Sequence, residues 1–250
     1  MNHEQRAARD GFAALLENTA QADANYNALL ESRGGRIIST DIARFLESRY
    51  RDTPEGKPRD LAPGWDMAWR YAQDRLRREI EDRKGRRFIS FMAGGWGAGK
   101  THALQGADLR DVAWDGTLKD YLWARDIIEL ALLNGWRVEI AYVFRDIELA
   151  LYGAVEREVS EGRGVPLPQL PGNHRAVQQS ILRLIRRYRD ESRVAFLLLH
   201  NTGMKGVSGK SLDVAETDLA RNGPLHYTKD YEDYYAEAAR EIQALNPALG

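Results

Sequence analysis

Eight residues near the middle of the chain have the types and spacing that phosphate chemistry needs. Gly94-Gly95-Trp96-Gly97-Ala98-Gly99-Lys100-Thr101 fits the pattern G-x-x-x-x-G-K-[ST]. Glycines let a backbone wrap closely enough for its N–H groups to point at β- and γ-phosphate oxygens. Lys100 supplies a compact positive charge for the same phosphates, and the Thr101 hydroxyl is a ligand for Mg²⁺. An apolar run precedes the loop and a helical pattern follows it, which is the setting the mechanism requires. A chance glycine-rich turn is the competing reading, and that setting argues against it. ATP with Mg²⁺ is the expected cofactor pair.

Phosphoryl transfer also needs carboxylates for a metal or acceptor and cations for the phosphates. Asp115 closes the run Val112-Ala-Trp-Asp115-Gly-Thr117, at the carboxyl end of an expected strand, where parallel sheets bind ligands. Asp41 follows the strand-like run Arg36-Ile-Ile-Ser-Thr40 and has Arg44 one turn later. For Asp41, Asp115 and Thr117 the alternative is a helix N-cap. Arg157 and Arg163 flank the start of a Pro/Gly loop and suit a lid over a triphosphate, the alternative being solvent-facing arginines. His174, at the far end of that loop, reads as a surface or capping residue. Trp96 either walls an acceptor pocket or sits exposed in its loop.

The elements that must position these residues follow from hydrophobic periodicity. Residues 5–17 and 22–32 have helical spacing, 36–40 is a short β-like run, and Ala43 to Tyr50 reads as helix. A Pro/Gly loop over 52–64 leads into an amphipathic helix marked by Met67, Tyr71, Leu76 and Ile80. Strands are then expected over 88–92, 111–114, 137–144 and 194–199. Helices are expected over 121–133, 147–159 and 176–188, with a Pro/Gly loop over 161–173. Strands alternating with helices imply an α/β fold with a mostly parallel sheet.

Composition narrows the field. The 250 residues include 36 Lys+Arg, 37 Asp+Glu and no cysteine, and 43% are hydrophobic. A net charge of −1 argues against a general nucleic-acid binder. The absence of cysteine excludes a disulfide scaffold, a thiolate metal site and a cysteine nucleophile. No signal-peptide pattern opens the chain and no window is apolar enough to span a bilayer, so a cytoplasmic protein without membrane contact is expected. The neutral sum hides a basic stretch, Arg70 to Arg87, with eight basic and four acidic residues. An acidic stretch, Asp213 to Glu241, has eight acidic and three basic residues. Solvated helix faces account for both.

Four segments together resemble the zeta-toxin-like P-loop kinases, a family that includes kinases of UDP-N-acetylglucosamine. They are the loop at 94–101, the element Asp115-Gly-Thr117, the segment 152–166 with its two arginines, and the strand ending His200-Asn201-Thr202-Gly203. The resemblance covers residues 87 to 205 and implies a three-layer P-loop kinase sandwich with helical additions at both ends. Its domain plan is a helical cap over 1–35, a kinase domain over 36–205 and a C-terminal loop and helix over 206–250.

The family's Asp-x-x-Arg element follows its P-loop, but here too few residues separate Thr101 from Asp115 to hold it. Thr40-Asp41-Ile-Ala-Arg44 is similar and lies before the loop. The resemblance therefore implies a permuted order, with the 36–40 strand beside the P-loop strand. It makes Asp41 the base for an acceptor hydroxyl, and Arg157 and Arg163 the charge-neutralising groups. Arg44, Asp115 and Thr117 become acceptor contacts. The implied activity is ATP-dependent phosphorylation of a nucleotide or nucleotide-sugar, with an antitoxin protein as a partner. The alternatives are a nucleotide-binding toxin–antitoxin or regulatory protein with little turnover, and a polynucleotide 5′-hydroxyl kinase.

Overall fold

The computed structural model describes residues 3–47, 64–82, 87–105, 111–161, 165–201 and 207–210. It opens with helices α1 (His3–Glu17) and α2 (Thr19–Ala28), strand β1 (Ile37–Ser39) and a one-turn helix α3 (Thr40–Ala43). Helix α4 (Trp65–Asp82), strand β2 (Phe88–Ala93), helix α5 (Lys100–Gln105) and strand β3 (Val112–Asp115) follow. Next come α6 (Tyr121–Leu133), β4 (Arg137–Arg145), α7 (Ile147–Glu161), α8 (Leu170–Tyr188), β5 (Val194–Asn201) and β6 (Val207–Lys210). The strands form one sheet in the order β1-β3-β2-β4-β5-β6, mostly parallel, with helices on both sides. This is the α/β architecture that the alternation of apolar runs implies.

Two strand placements differ from expectation. β1 joins the sheet, but it pairs in parallel with β3 (Ile37 opposite Ala113, Ser39 opposite Asp115) and not with the P-loop strand β2. Its three residues are all buried, so an edge position for β1 still gives each side chain a covered face. Val207–Lys210, expected within a loop, runs antiparallel to β5. The rest of the C-terminal segment, with its four tyrosines, lies outside the described residues, as does the 52–63 loop.

By their internal contacts the described residues fall into two compact units: Met1–Phe91, Asp108–Gly116 and Asp126–Val138 in the first, Met92–Ala107, Thr117–Arg125 and Glu139–Gly250 in the second. In the first, α4 buries Ala68, Tyr71, Ala72, Leu76 and Ile80, the three- and four-residue spacing of one helical face. Arg75 on that face is also buried. It donates to Asp23 (3.0 Å) and Asn27 (2.6 Å) on α2 and lies 4.7 Å from the centre of the Tyr26 ring. Asp23 also accepts hydrogen bonds from the Tyr71 hydroxyl and from Arg78, and these partners hold its carboxyl below the usual range against the opposing effect of burial. Helix α2 is therefore fastened to α4 by a paired, hydrogen-bonded charge cluster.

Tyr26 carries that fastening to β1. Its buried hydroxyl donates to Ile37 O (3.0 Å) and accepts from Ser39 N (3.0 Å), two backbone groups at either end of the strand. Burial pushes the phenol well above its ordinary range, so it remains an O–H donor. Tyr26→Phe leaves both backbone groups without this partner and is expected to lower unfolding free energy by about 1–3 kcal/mol. Urea denaturation with an unchanged slope checks this, and an effect below about 0.5 kcal/mol would contradict it.

Helix ends follow local rules. Gly135 takes φ +80° just past α6, the left-handed cap expected there. α8 begins at Leu170, six residues before the expected start, because Pro171 sits in the first turn, where its missing N–H is harmless. What reads as the end of a Pro/Gly loop, over 170–173, is the start of a helix.

Candidate active site

The phosphate loop occupies 94–99 between β2 and α5. Gly97 (φ +72°) and Gly99 (φ +90°) hold left-handed backbone that a side chain would strain. Lys100 folds back over the loop and donates from Nζ to Gly94 O and Gly95 O, each at 3.0 Å. Ala98 N bonds Gly95 O (3.2 Å) and Ala103 N bonds Gly99 O (3.0 Å), closing the turn into the helix. Thr101 is exposed in the first turn of α5. A glycine loop of this conformation, with its lysine held at the loop carbonyls, suits a nucleotide polyphosphate.

Neighbouring elements in the same unit seat the loop. Gly94 N donates to Thr117 O (3.4 Å), and Leu118 next to it takes a left-handed φ of +53°, which turns the chain out of β3. Arg145, at the end of β4, donates to Gly97 O (2.9 Å). Asn201, at the end of β5, donates to Ala98 O (2.9 Å). Asn173 Oδ1 accepts from Trp96 N (3.1 Å), and His174 Nε2 meets Trp96 O (2.7 Å). The Trp96 indole packs on Ile147, Leu151, Ala154 and Leu170, with Lys119 Nζ 5.8 Å from its ring centre. The expectation that His174 is a surface or capping residue therefore fails, for it is only 2% exposed, and so does that of a fully exposed Trp96.

Burial pushes the His174 imidazole down to about 4. Lys100 and Arg145 act in the same direction, while the bond to Trp96 O and the charge of Asp146 oppose it. Below an unfolded value near 6.5 the unfolded chain binds this proton and the folded chain does not. Stability is thus fully present above that pH and lost as pH falls toward about 4, by on the order of 3 kcal/mol. His174→Gln is expected to flatten the decline between those two pH values in chemical denaturation; an unchanged decline would contradict it.

The other expected site residues are distributed as follows. In the first unit, Asp41 pairs with Arg44 at 3.6 Å, their side chains 45% and 19% exposed. The N-cap of α3 is Ser39, whose Oγ accepts from Asp41 N (3.2 Å), so Asp41 is not the cap. Asp115 ends β3 opposite Ser39. Neither Asp115 nor Thr117 caps α6, since Asp120 Oδ1 accepts from Leu122 N and Trp123 N. In the second unit, Arg157 lies inside α7, which runs on to Glu161, so it does not end a helix. Its side chain and all of Arg163 lie outside the described residues. Sequence reasoning assigned no role to Arg145, Asn173 or Asn201, and gave His174 the wrong one. Only Asn201 had a signal, as part of the strand ending that carried the resemblance.

Among the described residues no group of three or more acidic or histidine side chains could hold a metal by itself, and no helix is long and apolar enough to cross a membrane.

Residues 108–195, from just before β3 to the start of β5, match the family model described as Zeta toxin. No curated protein matches the chain. Among solved structures, the complex of AvrRxo1-ORF1 with AvrRxo1-ORF2 and sulphate ions is similar at 15% identity and a TM-score of 0.44, over 62% of this chain and 69% of that one. A structure from the PezAT chromosomal toxin–antitoxin system of Streptococcus pneumoniae is similar at 12% identity and a TM-score of 0.43, over 84% and 74%. Likeness at that level assigns no residue a role, and the family match stops short of the phosphate loop in front of it. Residues 108–195 are thus similar to the Zeta toxin family, and the phosphate-loop sequence in front of them is of the nucleotide-binding kind.

Proposed function

We propose that the chain transfers the γ-phosphate of ATP to a hydroxyl of a small molecule, a nucleotide or nucleotide-sugar. The observation that carries this reading is the loop itself, left-handed at Gly97 and Gly99 with Lys100 Nζ resting on the Gly94 and Gly95 carbonyls. Bound ATP supplies the phosphoryl group, with Mg²⁺ offsetting its charge. Mg²⁺ keeps several waters and needs few protein ligands beside phosphate oxygens, and Thr101 is the residue that would hold it.

The chain's own groups then have separable tasks. Lys100 exchanges two carbonyl partners for phosphate oxygens, so its charge is in place beforehand. Backbone N–H groups of the loop other than those of Gly94, Trp96 and Ala98, which bond within the protein, hold the phosphates in line. Asp41, with an exposed carboxylate, accepts the proton of the acceptor hydroxyl, and Arg44 fixes its orientation. Asp115 and Thr117 orient the acceptor. Arg157 and Arg163 offset the charge spread over the transferring group. An antitoxin protein is the partner this reading implies.

The test is transfer of radiolabel from γ-labelled ATP by the full chain to nucleotide-sugars, dinucleotides and 5′-hydroxyl oligonucleotides. Label on a small molecule is the expected result. Label only on the oligonucleotide would replace this reading with a polynucleotide kinase. Neither transfer nor hydrolysis would replace it with a binding protein of little turnover.

A further inference from the structure

One peptide unit of the phosphate loop is held from outside at both ends. Trp96 N donates to Asn173 Oδ1 at 3.1 Å, and Trp96 O lies 2.7 Å from His174 Nε2. A carbonyl only accepts, so Nε2 carries the imidazole proton. Both residues stand in the first turns of α8 and are buried, Asn173 at 6% exposure. The loop is also shaped around them. Gly95 is the position where a Cβ would overlap the His174 ring, so glycine is needed there for room.

The loop is seated on α7 as well. A Cβ on Gly97 would overlap Ala150 O, and the Trp96 indole packs on Ile147, Leu151 and Ala154 of α7 and Leu170 of α8. Glycine-rich backbone loses much conformational freedom when it is fixed in one shape. Contacts that fix the shape before a ligand arrives remove that loss from the binding step.

We propose that Asn173 and His174 are positioning residues: by gripping the Trp96 peptide they preform the phosphate loop and join it to the α7–α8 hairpin as one body. The inference rests on the nucleotide-binding reading of the loop and changes one expectation drawn from it. The first turns of α7 and α8 do not swing away from the loop as a lid would, because their apolar contacts and two hydrogen bonds run into it.

ATP–Mg²⁺ binding to the full chain, measured by calorimetry, tests this. His174→Leu and Asn173→Leu each remove one hydrogen bond to the loop and are expected to weaken binding about 10-fold. His174→Gln and Asn173→Asp keep a donor and an acceptor of similar reach and should stay within about threefold of wild type. Because both residues hold one peptide, the double leucine variant should lose less than the product of the single losses. Where His174→Leu fails to fold, Asn173→Ala reads the same grip from its other end. Folded leucine variants that bind as wild type does, or conservative variants as weak as the leucine ones, would overturn the proposal. A wild-type chain that binds no ATP would overturn the nucleotide reading beneath it, a different outcome from equal binding by wild type and variants.

Discussion

Lys100→Ala is expected to lower phosphoryl transfer by roughly 10³-fold while leaving the fold intact. Phosphoryl transfer offers a protein little covalent chemistry, so rate comes from position and from charge aimed at the phosphates. In this chain the Lys100 ammonium is held over the loop by Gly94 O and Gly95 O, where it needs no search to meet an incoming polyphosphate. Its removal deletes a fixed positive charge from a half-buried site. The same deletion costs the fold little, since the carbonyls it leaves are on a loop that Thr117, Arg145, Asn173, His174 and Asn201 still hold. Lys100→Arg is not a conservative control, because a planar guanidinium does not occupy the place of a compact ammonium. Transfer rates and thermal melting of the two proteins check the prediction; a variant that transfers at the wild-type rate would contradict it.

Asp41→Asn is expected to lower turnover by about 10²- to 10⁴-fold with ATP affinity unchanged. The separation of effects follows from where Asp41 sits. It follows β1, in the first turn of α3, with an exposed carboxylate 3.6 Å from Arg44. Since Ser39 provides the α3 cap, replacing the carboxylate with an amide removes no capping bond. A fold loss would therefore be small, and a turnover loss would be chemical. The measurement is the transfer rate at saturating ATP beside calorimetric ATP binding. Full activity in Asp41→Asn would remove Asp41 as the base and leave Asp115, the carboxylate at the end of β3, as the group to test next.

The loop was legible in the sequence because its requirements are local. Positive φ at Gly97 and Gly99 and a lysine at the loop's end are written in eight consecutive residues. Strands β2 and β4 were legible as apolar runs too rich in β-branched and aromatic residues for a surface helix. The existence of β1 could be read in the same way, but not its neighbour. Which strand pairs with Ile37–Ser39 depends on packing with Val112–Asp115, more than seventy residues away. The start of α8 was misread for a local reason, since proline and glycine punctuate loops more often than first turns. That misreading hid His174 and Asn173, and Arg145 and Asn201 were hidden by distance along the chain. All four act through hydrogen bonds to the loop backbone, and a side chain that bonds a distant peptide leaves no spacing pattern to find.

The central claim is that this phosphate loop serves phosphoryl transfer to a small molecule. Its most direct test is a time course of label from γ-labelled ATP onto a panel of nucleotides and nucleotide-sugars, run with the full chain and with Lys100→Ala. Label accumulating on a small-molecule hydroxyl with the wild-type chain, and none above background with the variant, is the predicted result. Label at equal rates in both, or none in either with ATP bound and intact, would contradict it.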